Sequence, residues 1–233
     1  RDSARRQSGM DRYLSDDYLN FIDVLLLHLL PSWRGRDERI TPTIAINLPV
    51  SQFNHPEVGS KIKERLEGIR NVRDHEGCIL QLDIDASKIV ILPESTGALM
   101  HHAYSPALEK RGDTDGQTLV VDIGYETTDT TLFVGMKYQR ERAYTIPRAG
   151  MGNIARTVAE AAGKAIRGVD VSLVDRAMRS LPGKDAADMW ISINGKEFNA
   201  AKVYAHAIMT EAQKSADAIL TSYQSDVTRV VVA

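Results

Sequence analysis

One cysteine, Cys78, is all that the 233 residues contain. That excludes an internal disulfide and any zinc site built on cysteine, and it suits a reducing compartment. Charge of one sign is equally scarce. The 29 Lys and Arg against 31 Asp and Glu leave a formal net of -2, and no long single-sign run stands out. Nothing in that balance calls for nucleic acid or a membrane surface as a direct partner. Long apolar runs are missing as well. The opening RDSARRQSGMDR is basic and polar, lacks the apolar centre of a signal peptide, and reads as a linker, a loop or a trimmed end. The most apolar stretch, Ser15 to Leu30, is interrupted by Asn20, Asp23 and His28 and is too short for a bilayer crossing.

What is present is an alternation of α and β signals arranged around Thr118 to Val134, TLVVDIGYETTDTTLFV. Leu119, Val120 and Val121 form a short apolar run, Asp122-Ile123-Gly124 breaks it, and Thr130 to Val134 resumes an alternating pattern. The reading is strand, tight polar turn, strand. Gly124 lets the backbone approach a ligand with no Cβ in the way, and successive amides of such a turn form an anion nest. Thr127 and Thr128 add hydroxyl donors. Asp122 cannot itself favour a phosphate, so its place beside a phosphate-type loop implies a divalent cation between them, held through water. On spacing alone the stretch reads equally as an ordinary hairpin with a polar turn.

The rest of the chain supplies the frame. Ser15 is an N-cap with Asp16 and Asp17 in the first turn of a helix to Leu30, stopped by Pro31. Its apolar residues fall almost all round, so burial on every side is expected. A charged loop from Arg34 to Arg39 leads to a strand over Thr43 to Leu48 and a turn at Pro49. An amphipathic helix follows from Glu57 to Leu66, ending near Gly68. Cys78 to Ile84 and Lys88 to Leu92 read as strands, and Glu94 to about Glu109 as a helix. The soft segment KRGDTDGQ is the best boundary, dividing the chain into domains 1–115 and 116–233. Beyond the central hairpin come a third antiparallel strand, Lys137 to Ile146, and helices over Asn153 to Ala165 and Ser172 to Ser180. WISINGKEF makes a hairpin turning at Asn194-Gly195. Asn199 caps a long helix through Ser222, with Val203, Ile208, Ala212, Ala216, Ile219 and Leu220 as its apolar positions. The chain closes on an apolar strand, Thr228 to Ala233.

DIGYETTD resembles the second phosphate loop of the actin, heat-shock chaperone and sugar kinase superfamily, in the version of ParM-type plasmid-segregating and archaeal actin-like proteins. ILPESTGALMHHAY, Ile91 to Tyr104, resembles the segment that precedes that loop. IAINLPVSQF, Ile44 to Phe53, resembles an earlier strand signature of the same proteins, with Asn47 where glycine is usual. The three occur in the family's order. The resemblance implies an actin-like, ribonuclease H-like α/β fold of two domains around a nucleotide cleft, incomplete here at both ends. The family's first phosphate loop lies ahead of anything matching Ser15, and its adenosine glycines follow a strand like VTRVVVA. Neither stretch is in the chain, which reads as the middle of such an ATPase.

The same resemblance implies ATP or ADP with magnesium as cofactors, self-association into filaments, a DNA-binding adaptor as partner and a cytoplasmic location. Asp122 matches the carboxylate that orients the hydrated metal. Gly124, Tyr125, Glu126, Thr127 and Thr128 match the loop around the terminal phosphates. Glu94 stands where the family places a polar residue near the attacking water, though it reads also as a first-turn helix carboxylate. Asp129 aligns with a carboxylate or histidine of relatives, or faces solvent. Gly152 approaches the nucleotide at a helix start, a part Gly150 fits as well, and both read equally as turn residues. Tyr125 and Glu126 stand where relatives often have small residues, and a glutamate beside a triphosphate is repulsive unless it turns outward or meets the metal. Two further readings are a non-catalytic actin-like scaffold or filament regulator and a small-molecule kinase of the same superfamily.

Overall fold

The computed structural model describes residues 10–29, 39–73, 79–112, 115–181, 183, 185, 188–223 and 227–233. The expected helix stop at Leu30 and Pro31, the charged loop at 34–38, Cys78 and residues 1–9 of the opening segment lie outside the described residues. Contacts divide the chain into two units, Arg1–Thr96 and Gly97–Ala233.

In the first unit the elements are α1 (Met10–Tyr13), α2 (Asp16–Leu29), β1 (Arg39–Ile40), β2 (Ile44–Leu48), α3 (Val50–Phe53), α4 (Val58–Leu66), β3 (Gly68–Arg73), β4 (Ile79–Ile84) and β5 (Ile89–Pro93). Ser15 caps α2 as its residue type predicts, its hydroxyl oxygen accepting the Tyr18 amide at 3.2 Å. Burial of α2 is one-sided, against expectation: Ile22 faces the core, while Phe21 and Val24 are 54% and 49% exposed. A helix on a small sheet buries one stripe, whatever its composition elsewhere. Along β2 the side chains alternate, and Ile44, Ile46 and Leu48 point inward. This strand pairs in parallel with β5, from Ile44 opposite Ile89 to Leu48 opposite Pro93. The other sheet has the order β1-β4-β3, with β3 antiparallel to β4. The strand β3 escaped the sequence reading because GIRNVR places only Ile69 and Val72 among charged and polar residues. Ile62 and Leu66 of α4, Leu82 and Ile84 of β4 and Ile89 of β5 close this core.

The helix α5 (Ser95–Ala103) follows at once and ends well short of Glu109. Pro106 cannot continue a helix. The Ser105 hydroxyl instead accepts the amides of Ala107 and Glu109, each at 3.1 Å, and Tyr104 bridges to Lys110.

The second unit continues with β6 (Gln117–Ile123), β7 (Thr127–Val134), β8 (Lys137–Pro147), α6 (Met151–Gly163), α7 (Val171–Met178), β9 (Trp190–Ile193), β10 (Lys196–Asn199), α8 (Ala201–Ser222) and β11 (Arg229–Val232). Its main sheet has the order β11-β6-β7-β8, antiparallel except that β11 runs parallel to β6. Both faces of β6 are covered, which explains the unbroken Leu119-Val120-Val121 run. Val120 meets Leu99 and Phe133 on one side, and Leu119 and Val121 meet Leu132 and Tyr223 on the other. A register shift between β7 and β8 bulges residues 139–142. The Tyr223 hydroxyl donates to the Arg142 carbonyl in that bulge at 2.8 Å, and burial pushes its pKa up to about 12.

A second core joins Ile154 and Val158 of α6, Val174 of α7, Ile191 of β9 and Tyr204 and Ala207 of α8. Asn194 and Gly195 turn the β9-β10 hairpin with positive φ of 51° and 73°, as the favoured two-residue turn requires. The Asn199 side chain accepts the Ala201 amide at 3.0 Å at the start of α8. The buried positions of α8 are Tyr204, Ala207 and Glu211, whereas Ala212, Ala216 and Leu220 are exposed. An acid at a core-facing position hid the true stripe from a hydropathy reading. No helix among the described residues is long and apolar enough to cross a membrane.

Candidate functional site

The site begins at the turn between β6 and β7. Ile123 pairs with Thr128, and the Gly124 amide donates to the Thr127 carbonyl at 2.9 Å, so Tyr125 and Glu126 form the tip. This tip is seated on the first turn of α6. The Met151 amide donates to the Gly124 carbonyl at 3.0 Å and the Gly152 amide to the Tyr125 carbonyl at 2.7 Å. The first amides of a helix have no partner within it, and here carbonyls of the turn satisfy two of them.

Two glycines make the approach possible. A Cβ on Gly150 would lie 2.5 Å from the Tyr125 carbonyl oxygen and 2.6 Å from that of Gly124. One on Gly152 would lie 2.8 Å from both the Tyr125 ring and its carbonyl oxygen. Gly150 has φ of -126°, which any residue adopts, so space rather than dihedral freedom demands glycine there. Thr128 is fully buried, and its hydroxyl donates to the Ala149 carbonyl. Gly152 and Thr128 thus commit their amide and hydroxyl to seating the turn.

At the end of β6 stand the carboxylates. Asp122 lies directly opposite Asp129, which lies opposite Thr145 on β8, so the three share one face of the sheet. Asp122 is half-buried and Asp129 is 5% exposed, which settles Asp129 away from solvent. Burial first, and the neighbouring Asp129 second, raise the Asp122 carboxyl above its ordinary range. Two carboxylates held this close favour a shared proton or a cation.

Glu126 turns outward. Its carboxylate meets the Arg156 guanidinium of α6 at 3.4 and 3.2 Å. Arg156 Nε donates to Asn153 Oδ1 at 3.2 Å, and the Asn153 amide group donates to the Arg148 carbonyl and, at 3.2 Å, to Glu211 of α8. Lys214 Nζ completes the series on Glu211 at 2.6 Å. The sequence reading missed Arg156, Asn153 and Glu211. The spacing of Asn153 and Arg156 on one helix face was a readable signal, but nothing local marks partners 30 and 58 residues apart.

Glu94 lies in the first unit, exposed, immediately before α5, with its amide donating to the Leu48 carbonyl at the end of β2 at 2.8 Å. It also faces Tyr18, whose hydroxyl pKa is raised by burial first, with Arg12 lowering it and Glu94 adding to the rise. The remaining candidate residues all lie in the second unit. Among the described residues no group of three or more His, Cys, Asp or Glu could hold a metal. A cation at Asp122 would therefore complete its shell with water and ligand oxygens, as magnesium commonly does.

Residues 120–232 match a family model described as archaeal actin homologue MreB-like, C-terminal. The chain is similar in structure to Ta0583, an archaeal actin homolog, with TM-score 0.73 and 17% identity over 99% of this chain and 70% of that one; Ta0583 is also known in complex with ADP. A 15-stranded ParM filament from Clostridium botulinum matches with TM-score 0.69 and 16% identity over 98% of this chain and 65% of the other. Bacillus thuringiensis ParM with AMPPNP matches with TM-score 0.62 and 11% identity over 98% and 64%. The chain thus spans about two thirds of the length of these proteins, and at such identities the likeness speaks for the fold alone. No curated protein matches in sequence.

Proposed function

This chain has the actin-like fold, and residues 120–232 resemble the MreB-like C-terminal domain of archaeal actin homologues; from that premise we propose that it binds and hydrolyses ATP with magnesium and assembles into filaments. The observation that carries this reading is the Gly124–Thr127 turn, seated by its carbonyls on α6 beside the Asp122 and Asp129 pair. A turn fixed before a ligand arrives needs no reorganisation when it receives an anion. The carboxylate oxygens at its base are the hard donors that magnesium prefers.

On this reading the backbone of Gly124, Tyr125, Glu126 and Thr127 surrounds the terminal phosphates, and Asp122 orients the hydrated metal. Magnesium, when bound, neutralises charge that develops on the phosphoryl group. Thr128 and Gly152 act one step back, by holding the turn. Glu94 orients or deprotonates the attacking water. Self-association follows by analogy with the ParM filament, and a DNA-binding adaptor and plasmid cargo follow from the ParM likeness. A cytoplasmic location fits the near absence of cysteine.

The test is an equilibrium titration with a fluorescent ATP analogue, with and without magnesium. Saturable, magnesium-dependent binding competed by ATP is expected, with Glu94→Ala binding equally and hydrolysing more slowly. Absence of binding by the folded chain overturns the reading.

A further inference from the structure

We propose that Arg156 is a positioning residue for the β6-β7 turn, holding the Glu126 carboxylate so that the turn stays on α6 and offers an anionic ligand no unpaired negative charge. The proposal deepens the nucleotide-binding reading and rests on it for its ligand.

The geometry divides the turn into two halves with different anchors. Tyr125 is held by its carbonyl on the Gly152 amide and by its ring against Gly152. Glu126 is held through its side chain, by two hydrogen bonds from Arg156. A free carboxylate at this position would stand on the very turn proposed to receive phosphates, where each unit of like charge lowers affinity. Pairing with a guanidinium cancels that charge locally.

Arg156 is itself held in place. Asn153 Oδ1 accepts from it, and Asn153 is anchored on the Arg148 carbonyl and on Glu211. Arg148 has a left-handed φ of 54°, an unfavourable conformation for a residue with a Cβ, and its carbonyl is the one that accepts from Asn153. Glu211 is 9% exposed and also paired with Lys214. The guanidinium is therefore preorganised by a buried anchor on α8 instead of following whichever carboxylate is near. As a plain ion pair Arg156 and Glu126 would contribute little to stability, since their side chains are 38% and 58% exposed. The pair acts by placing charge and backbone, and its removal leaves the fold intact.

The experiment compares wild type, Arg156→Ala, Glu126→Gln and the double variant by two readouts. One is the affinity for the fluorescent ATP analogue with magnesium. The other is hydrogen exchange at the Met151 and Gly152 amides in the nucleotide-free protein. Arg156→Ala is expected to weaken nucleotide binding about fivefold, and adding Glu126→Gln to recover most of that loss, because the liberated charge is gone. Exchange at Gly152 is expected to rise roughly threefold in either single variant and no further in the double. An Arg156→Ala variant that binds as wild type does, a double variant as weak as Arg156→Ala, or Gly152 exchange unchanged by all three substitutions each overturns the proposal. If Glu126→Gln alone leaves exchange unchanged while Arg156→Ala raises it, Arg156 acts through Asn153 only, and the proposal also fails. Should the wild type bind no nucleotide, the functional reading falls, and the exchange data alone decide whether Arg156 positions the turn.

Discussion

At the scale of single residues, the ionised Asp122 carboxylate carries a cost in the folded chain. Its carboxyl lies above the ordinary 3.8 through burial and the facing Asp129, so the folded chain holds this proton more tightly than the unfolded one. Below pH 3.8 both states are protonated and the group does not affect stability. As pH rises through that value to the raised folded one, the unfolded state ionises first and stability falls. The deficit then persists at neutral pH. Asp122→Asn is therefore expected to melt higher than wild type at pH 7 and to lose this advantage once the pH is well below 3.8. The same substitution should weaken magnesium-dependent nucleotide binding about tenfold or more. Thermal melts at both pH values, beside the titration, check this; an advantage that persists in acid would show that relief of the carboxylate pair is not its cause. Asp122, Gly124 and the two threonines were legible as a group because they are contiguous. The burial of Thr128 was not, since a threonine hydroxyl looks the same in sequence whether it meets a phosphate or the Ala149 carbonyl.

At the scale of elements, the unit that matters is the hairpin tip together with the first turn of α6. Gly150→Ala would drive a Cβ to within 2.5 Å of a backbone oxygen, which no side-chain rotation can relieve. The expected cost is about 1–3 kcal/mol, measured by urea unfolding, together with weaker nucleotide binding. Gly163→Ala at the other end of α6 is the control: nothing lies within 4 Å of its Cβ position, and a helical Gly→Ala change is expected to gain a few tenths of a kcal/mol or more. Equal unfolding midpoints for the two variants would show that the turn adjusts freely. Strand-turn-strand, the N-cap at Ser15 and the Asn194-Gly195 hairpin were all readable, because alternation, capping and turn chemistry act within a few residues. The strand β3 and the buried face of α8 were not, because each depends on a neighbour remote in sequence, whereas the early end of α5 was signalled locally by Pro106 and Ser105.

For the whole molecule, the proposed assembly into filaments is the collective property to test. Sedimentation and light scattering are expected to report polymer in the presence of ATP and magnesium and less of it with Asp122→Asn. Assembly that is indifferent to nucleotide would separate filament formation from the proposed site. Three short motifs in the family's order were enough to indicate the actin-like fold, even though each alone was weak. Contacts place 97–103 of α5 with the second unit, where Leu99 packs on Val120 and Phe133.

By itself the sequence determined the central strand-turn-strand, the N-cap at Ser15 and the Asn194-Gly195 hairpin, since hydrophobic alternation, capping and turn residues are properties of adjacent positions. Only the tertiary structure decided how that turn is held. Its carbonyls pair with amides of α6, and backbone groups carry no side-chain signature. Glu126 meets Arg156 and Asn153 meets Glu211 across 30 and 58 residues, separations at which charge and hydrogen-bond partners are chosen by packing.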